Sequence, residues 1–272
     1  MALLRFVRSV LRSLLFVALL LAAVVDYRIR RPIWGAGGAV WIHAWCRRIV
    51  RVLGIRCVVE GPIPVGGAVV SNHLSYLDIL LYSSVQPFVM VAKTEVRGWP
   101  VLGWLTAQAG TVYVQRGGGP TTYPAVNAAM AEAYRGGLPV LFFPEGTTTD
   151  GAGVLPFRRG LFHSALNNGV SLRTAVLRYF LEPCSVNRGA TVGEDVCWWG
   201  EMGFTSHMFW LLGLRGLEAH IRFGDEILER QDRFVLSETA QARVAEMYGQ
   251  LGAAVSAAEP YGETKDLEAV LN

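Results

Sequence analysis

The chain has 272 residues, 52% of them hydrophobic and only 17% charged, with a mean hydropathy of +0.33. This excludes a disordered polypeptide and is more apolar than an ordinary soluble enzyme, while the length suffices for one domain with its own core. The net charge of +3 conceals an asymmetry: residues 1–56 hold ten arginines against the single acid Asp26, and the rest of the chain is net negative.

Basic charge on an apolar, periodic segment points to an anionic membrane surface rather than to nucleic acid, which would ask for charge spread over a folded face. Residues 13–25 carry no charge, a run short of the roughly 20 apolar residues a spanning helix needs. Before it, Arg5, Arg8, Ser9, Arg12 and Ser13 fall at helical spacing on one face. After Pro32, Trp41, Ile42, Trp45, Ile49 and Val52 share one face and His43, Arg47, Arg48 and Arg51 the other. Tryptophan beside arginine suits a helix at headgroup level, so residues 1–54 are expected to form two antiparallel helices resting in one leaflet. A true span and a cleaved signal peptide are the alternatives.

From residue 55 the pattern changes to short β-branched runs alternating with helix-length stretches. Residues 55–60, 68–71, 88–92, 111–114, 140–143, 173–177 and 219–223 read as strands, and 123–134 and 160–167 as helices, which predicts an α/β layered domain over 55–258. Ser237 is a candidate N-cap for a last helix whose buried stripe would be Ala240, Val244, Met247 and Leu251. A polar tail, 259–272, follows. Cys46, Cys57, Cys184 and Cys197 have neither zinc-finger nor C-x-x-C spacing and read as reduced thiols of a cytosolic compartment.

No Walker A loop, G-x-S-x-G elbow, H-E-x-x-H or complete G-x-G-x-x-G is present, which removes most nucleotide and zinc chemistry. Three clusters remain, each at the end of an expected strand, where α/β folds place reactive groups. The first is Asn72-His73-Leu74-Ser75-Tyr76-Leu77-Asp78. His73 has the chemistry of a general base and Asp78 could fix its tautomer, or else Asp78 or Ser75 caps a helix and His73 is a core residue; the spacing alone is unspecific. The second is Phe142-Phe143-Pro144-Glu145-Gly146-Thr147-Thr148-Thr149. Glu145 there is either functional or ion-paired with an arginine, Gly146 allows close approach, and the threonine hydroxyls could donate to a ligand. The third is Arg116, an anion clamp or a solvated side chain.

Taken together, in this order, the clusters resemble the PlsC-like glycerolipid acyltransferase family, with its blocks N-H-x-x-x-x-D, a strand ending in Arg, and F-P-E-G. Val91-Ala92-Lys93-Thr94-Glu95 with Gly98 to Gly103, and Leu155-Pro156-Phe157-Arg158-Arg159-Gly160, look like its connecting blocks. The similarity runs from about residue 55 to about residue 225. It implies a mixed sheet flanked by helices behind an N-terminal two-helix membrane-associating motif. It also implies transfer of a fatty acyl group from acyl-CoA or acyl carrier protein to the hydroxyl of a lysolipid, without cofactor or metal. In that reading His73 is the base and Asp78 its partner, with Asn72 and Ser75 in support. Arg116, Glu145, Gly146, Thr147 and Lys93 bind the acceptor head group, and Arg158 and Arg159 are substitutes for phosphate contact. Many members carry an arginine where this chain has Thr148. The acceptor expected first is 1-acyl-sn-glycerol-3-phosphate, giving phosphatidic acid. Residues 198–204 look like a subgroup that acylates lyso-ornithine lipid, which makes that lipid the alternative. A silent membrane-bound lipid-binding module, or a thioesterase, is the rival reading. The implied location is the cytoplasmic face of the inner membrane.

Overall fold

The computed structural model describes residues 2–31, 36–115, 123–227 and 232–258. Two helices open the chain, α1 (Ala2–Arg30) and α2 (Ala36–Leu53). Leu53 ends α2 in a Schellman turn: Ile55 N donates to Val50 O at 3.2 Å and Gly54 N to Arg51 O at 3.1 Å, with Gly54 at φ +68°, a conformation costly for any residue with a Cβ. The helices run antiparallel, since Asp26 of α1 accepts from the indoles of Trp41 and Trp45 at 3.0 and 2.9 Å while Arg12 lies beside Gly54 at the other end.

The body is built on seven strands: β1 (Arg56–Glu60), β2 (Ala68–Val70), β3 (Val89–Lys93), β4 (Val112–Val114), β5 (Val140–Phe142), β6 (Leu172–Leu181) and β7 (Leu217–Ile227). They form one sheet in the order β1-β7-β6-β2-β5-β3-β4. Every neighbouring pair is parallel except β6 and β7. The central strands β2 and β5 are apolar and buried at every position, as parallel strands covered on both faces must be. β7 instead alternates buried and half-buried residues over its first eight positions. All seven expected strands are present, with β6 and β7 longer than the apolar runs suggested, because their antiparallel ladder of nine paired positions also holds polar residues such as Arg178, Glu218 and Glu226 in register.

Between the strands lie α3 (Leu77–Val85), a 3-10 turn (Thr94–Gly98), α4 (Leu102–Gln108), α5 (Tyr123–Arg135), α6 (Phe162–Asn167), α7 (Pro183–Val186), α8 (Val192–Asp195) and α9 (Phe204–Leu212). The last helix, α10 (Arg233–Ala258), packs on β6 and β7. Ala240, Val244 and Leu251 are buried as its pattern predicts. Its cap is different from the one expected: Phe234 N donates to Asp232 Oδ1 at 2.6 Å, and Ser237 lies inside the first turns with its hydroxyl donating back to Phe234 O.

The N-terminal pair corrects two expectations. The arginine face of α1 turns toward the protein: Arg8 Nε donates to Gly213 O at 2.8 Å, Arg12 to Leu214 O at 2.7 Å, and Arg5 to Trp210 O at 3.2 Å and Asp195 at 2.6 Å. The Gly213 and Leu214 carbonyls lie just past the end of α9, where a helix leaves unpaired acceptors and the negative end of its dipole. The outward face is apolar, with Leu3, Leu4, Leu11, Leu14 and Ile29 more than 60% exposed. Trp41 and Trp45 point inward rather than to a headgroup layer, because Asp26 and the Leu105 side of α4 receive them. As one continuous helix, α1 is long and apolar enough to cross a membrane by length and composition.

Candidate active site

β2 and β5 are adjacent, parallel and in register, Val70 opposite Phe142. The two clusters that follow them therefore emerge side by side, and the same offset carries His73 to Glu145. The His73 backbone is held on both sides: its N–H donates to Glu145 Oε1 at 2.7 Å, and its carbonyl accepts from Thr149 N at 3.1 Å. Glu145 Oε2 accepts from Leu155 N at 2.9 Å.

Asp78 is fully buried in the first turn of α3, and its two oxygens divide the work. Oδ2 accepts from His73 Nδ1 at 2.7 Å, from Leu74 N at 2.7 Å and from Ser75 N at 3.0 Å. Oδ1 accepts from the phenol of Tyr179, on β6, at 2.6 Å. A carboxylate only accepts, so Nδ1 carries the ring proton and Nε2 is left with its lone pair. The helix-capping alternative does not hold, since α3 has no side-chain cap hydrogen bond: Asp78 instead closes the turn before the helix and orients an imidazole. The ring of His73 stacks on Phe143 with centroids 4.0 Å apart and planes 9° apart, which fixes its second degree of freedom.

Asn72 lies in the core, bridging to β6 with Nδ2 to Leu177 O and Leu177 N to Oδ1, both at 2.9 Å. It continues the sheet ladder by side chain where β2 has left it. The Ser75 hydroxyl is buried with no partner among the described residues.

The head-group candidates are dispersed. Glu145 is 3% exposed with both oxygens on backbone N–H groups, so it braces two loops, and it makes no ion pair among the described residues. Burial pushes its carboxyl up to about 7 against the lowering effect of those two donors, and the nearby Asp78 charge adds to the rise. Gly146 has φ +70°, and the side chain of Arg158 lies so close that a Cβ would come within 2.8 Å of its Nε. Arg158 thus sits over the F-P-E-G turn, its own N–H donating to Pro144 O at 2.8 Å. Arg159 turns to α10, paired with Glu238 at 3.1 Å and 4.6 Å from the Phe234 ring. Thr147 is exposed, and Lys93 ends β3, in register with Val114 of β4. Arg116 lies outside the described residues, as does the tail 259–272.

Beside this group runs an apolar cavity of about 150 Å³ between α1, α2, α3, α4 and α9, with Tyr76, Leu77 and Leu80 on its α3 wall. Tyr76 also enters an aromatic cluster with Trp99, Trp198 and Phe204 and reaches His207 Nδ1 with its hydroxyl at 3.0 Å. Trp198 N donates to Leu74 O, tying this cluster to the His73 loop. Sequence reasoning missed Tyr179 and the Tyr76–His207 contact. Both join residues more than 100 positions apart, and only an inward position on a strand or helix hinted at them.

The acyltransferase family profile matches residues 55–178. A lyso-ornithine lipid O-acyltransferase of Pseudomonas aeruginosa is 34% identical over 203 residues, covering 74% of this chain and 75% of that protein. The chain belongs to the PlsC-like glycerolipid acyltransferase family. Two further family relatives are a lyso-ornithine lipid O-acyltransferase of Rhodobacter capsulatus and a 1-acyl-sn-glycerol-3-phosphate acyltransferase of Neisseria meningitidis. The first is 39% identical over 66% of this chain and 65% of its own length, and the second 38% identical over 56% and 62%. The matches thus span a little under two thirds of these two proteins. The crystal structure of the PlsC acyltransferase from Thermotoga maritima shares the family fold at TM-score 0.62 and 17% identity, covering 92% of this chain and 96% of that one.

Proposed function

We propose that the protein is a membrane-associated O-acyltransferase that moves a fatty acyl group from a thioester, acyl-CoA or acyl carrier protein, to the hydroxyl of a lysolipid. The observation that carries this is the His73–Asp78 pair, with Nδ1 anchored at 2.7 Å on a buried carboxylate and Nε2 left to accept. In the proposed reaction Nε2 takes the proton of the acceptor hydroxyl as its oxygen attacks the thioester carbonyl. The tetrahedral adduct collapses with loss of the thiolate, which receives that proton back from the imidazolium. A thioester is already activated, so positioning and a base supply most of what the step needs. The apolar cavity beside α3 is a place for an acyl chain, and the outward apolar face of α1 rests in a leaflet.

For the acceptor we rank lyso-ornithine lipid first, reversing the order expected from sequence. Two relatives with the longest matched segments quoted above carry that name, and Thr148 replaces a common family arginine. 1-Acyl-sn-glycerol-3-phosphate is the second reading, favoured by Arg158 over Gly146, with Lys93 at the end of β3 and Arg116, two residues past β4 in sequence, as further cations. The test is thiol release from palmitoyl- and oleoyl-CoA by detergent-solubilised protein with each acceptor, with none, and with a carrier-protein donor. Acceptor-dependent release, absent in His73→Ala, is expected. Free fatty acid formed without acceptor would indicate a thioesterase, and no release with either donor a silent lipid-binding module.

A further inference from the structure

A cavity of about 650 Å³ opens between the first turns of α1, the segment from α7 to α8, and α9. None of His73, Asp78 or Glu145 lines it. Its walls carry Arg5, Arg8, Arg188 and Arg215 against Glu194 and Asp195, an excess of two positive charges. Arg5 is paired with Asp195 and Arg8 Nε is spent on the Gly213 carbonyl, but Arg188 and Arg215 make no ion pair among the described residues. Arg5 Nε is buried with no acceptor among them. Guanidinium groups gathered around a hollow, with donors to spare, suit an oxyanion.

The surroundings say which oxyanion. The cavity reaches the outward apolar surface at Trp210, which is 45% exposed, beside Phe6 at 47% and Leu3 and Leu4 at 71%. Phe6 packs on Phe209 and Trp210, continuing that surface from α1 to α9. A basic hollow bordering an exposed hydrocarbon-like surface is the shape of an amphiphile with an anionic head. We infer that this cavity binds the phosphate of an anionic membrane phospholipid, with the chains lying along α1, at a site separate from the one that holds the reacting acceptor.

The test is calorimetric binding to the full chain in neutral detergent, with dihexanoyl-phosphatidylglycerol, dihexanoyl-phosphatidylcholine and sn-glycerol 3-phosphate as probes. The expected result is saturable binding of the phosphatidylglycerol, weakened roughly tenfold or more in the Arg188→Gln/Arg215→Gln double variant. Both arginines are exposed, and an unchanged melting temperature in the variant shows that its fold is intact. Equal affinity of wild type and variant, or equal binding of phosphatidylcholine, overturns the site. Binding of glycerol phosphate as tight as that of the lipid, with the same arginine dependence, overturns its assignment to a lipid.

Discussion

Tyr179 donates to Asp78 on the oxygen that His73 does not use, at 2.6 Å, so one buried carboxylate is held from β6 while it holds the imidazole. The phenol is 2% exposed, and burial raises its pKa well above the ordinary value, which keeps it protonated and donating. Tyr179→Phe is expected to cost about 1.5–3 kcal/mol in urea unfolding, the range for a hydrogen bond to a charged group. Through a looser His73 it should also lower kcat roughly tenfold with little change in KM. An unchanged kcat alongside the stability loss would make Tyr179 structural only.

His73→Ala is expected to lower kcat by orders of magnitude and leave vesicle co-sedimentation as it was. Asp78→Asn should approach it, a loss of roughly 10³–10⁴, because an amide nitrogen facing Nδ1 would favour the wrong tautomer and also meet the Leu74 and Ser75 N–H donors. A variant Asp78→Asn with near wild-type turnover would remove the orienting role.

Glu145 makes stability depend on pH with an uncommon sign. Its folded-state pKa of about 7 lies above the unfolded value near 4.5, so between these values the folded chain binds the extra proton. Stability therefore falls as pH rises from about 4.5 to about 7, by up to about 3 kcal/mol at 1.36 kcal/mol per unit. Urea midpoints across that range should show the slope, and Glu145→Gln should flatten it at a lower overall stability. A slope that persists in the variant assigns it to another group.

Gly213 lies where α1 crosses the end of α9, and an added Cβ would overlap Ser9 Oγ and come 3.0 Å from Arg5 O. Gly213→Ala is expected to lift α1, weakening the bonds of Arg8 and Arg12 to the α9 carbonyls. Limited proteolysis should then cut between α1 and the body faster than in wild type; an identical cleavage pattern would mean that the crossing tolerates the methyl group.

The parts of the fold governed by local chemistry were readable from residues alone. Short apolar runs such as 140–142 read as buried strands, and the clusters of His73 and Glu145 stood at strand ends, so the neighbourhood of His73 and Asp78 was legible while their hydrogen bond was one of two open readings. What was not readable was the direction in which charge faces. The spacing of Arg5, Arg8 and Arg12 defined a stripe, but whether lipid phosphate or protein carbonyls would receive it depended on where α9 ended, some 200 residues away. Glu145 illustrates the same limit: its place at a strand end was visible, while its use as a brace between His73 and Leu155 was set by two loops meeting in space. Ser237 gave way to Asp232 because Asp and Ser suit an N-cap equally by type, and it is the Asp232 carboxylate that the Phe234 N–H reaches.

The inverted helix α1 has a consequence for how the protein moves. Arg8 and Arg12 are committed to the body, so the membrane cannot draw them away without uncovering unpaired carbonyls. If α1 rests in a leaflet as proposed, the domain is mounted on the bilayer rigidly instead of hanging from a tether, at one height and one tilt. His73 would then hold a constant depth, and an acceptor would reach it by lateral diffusion in two dimensions, whereas a water-soluble thioester would arrive from the third.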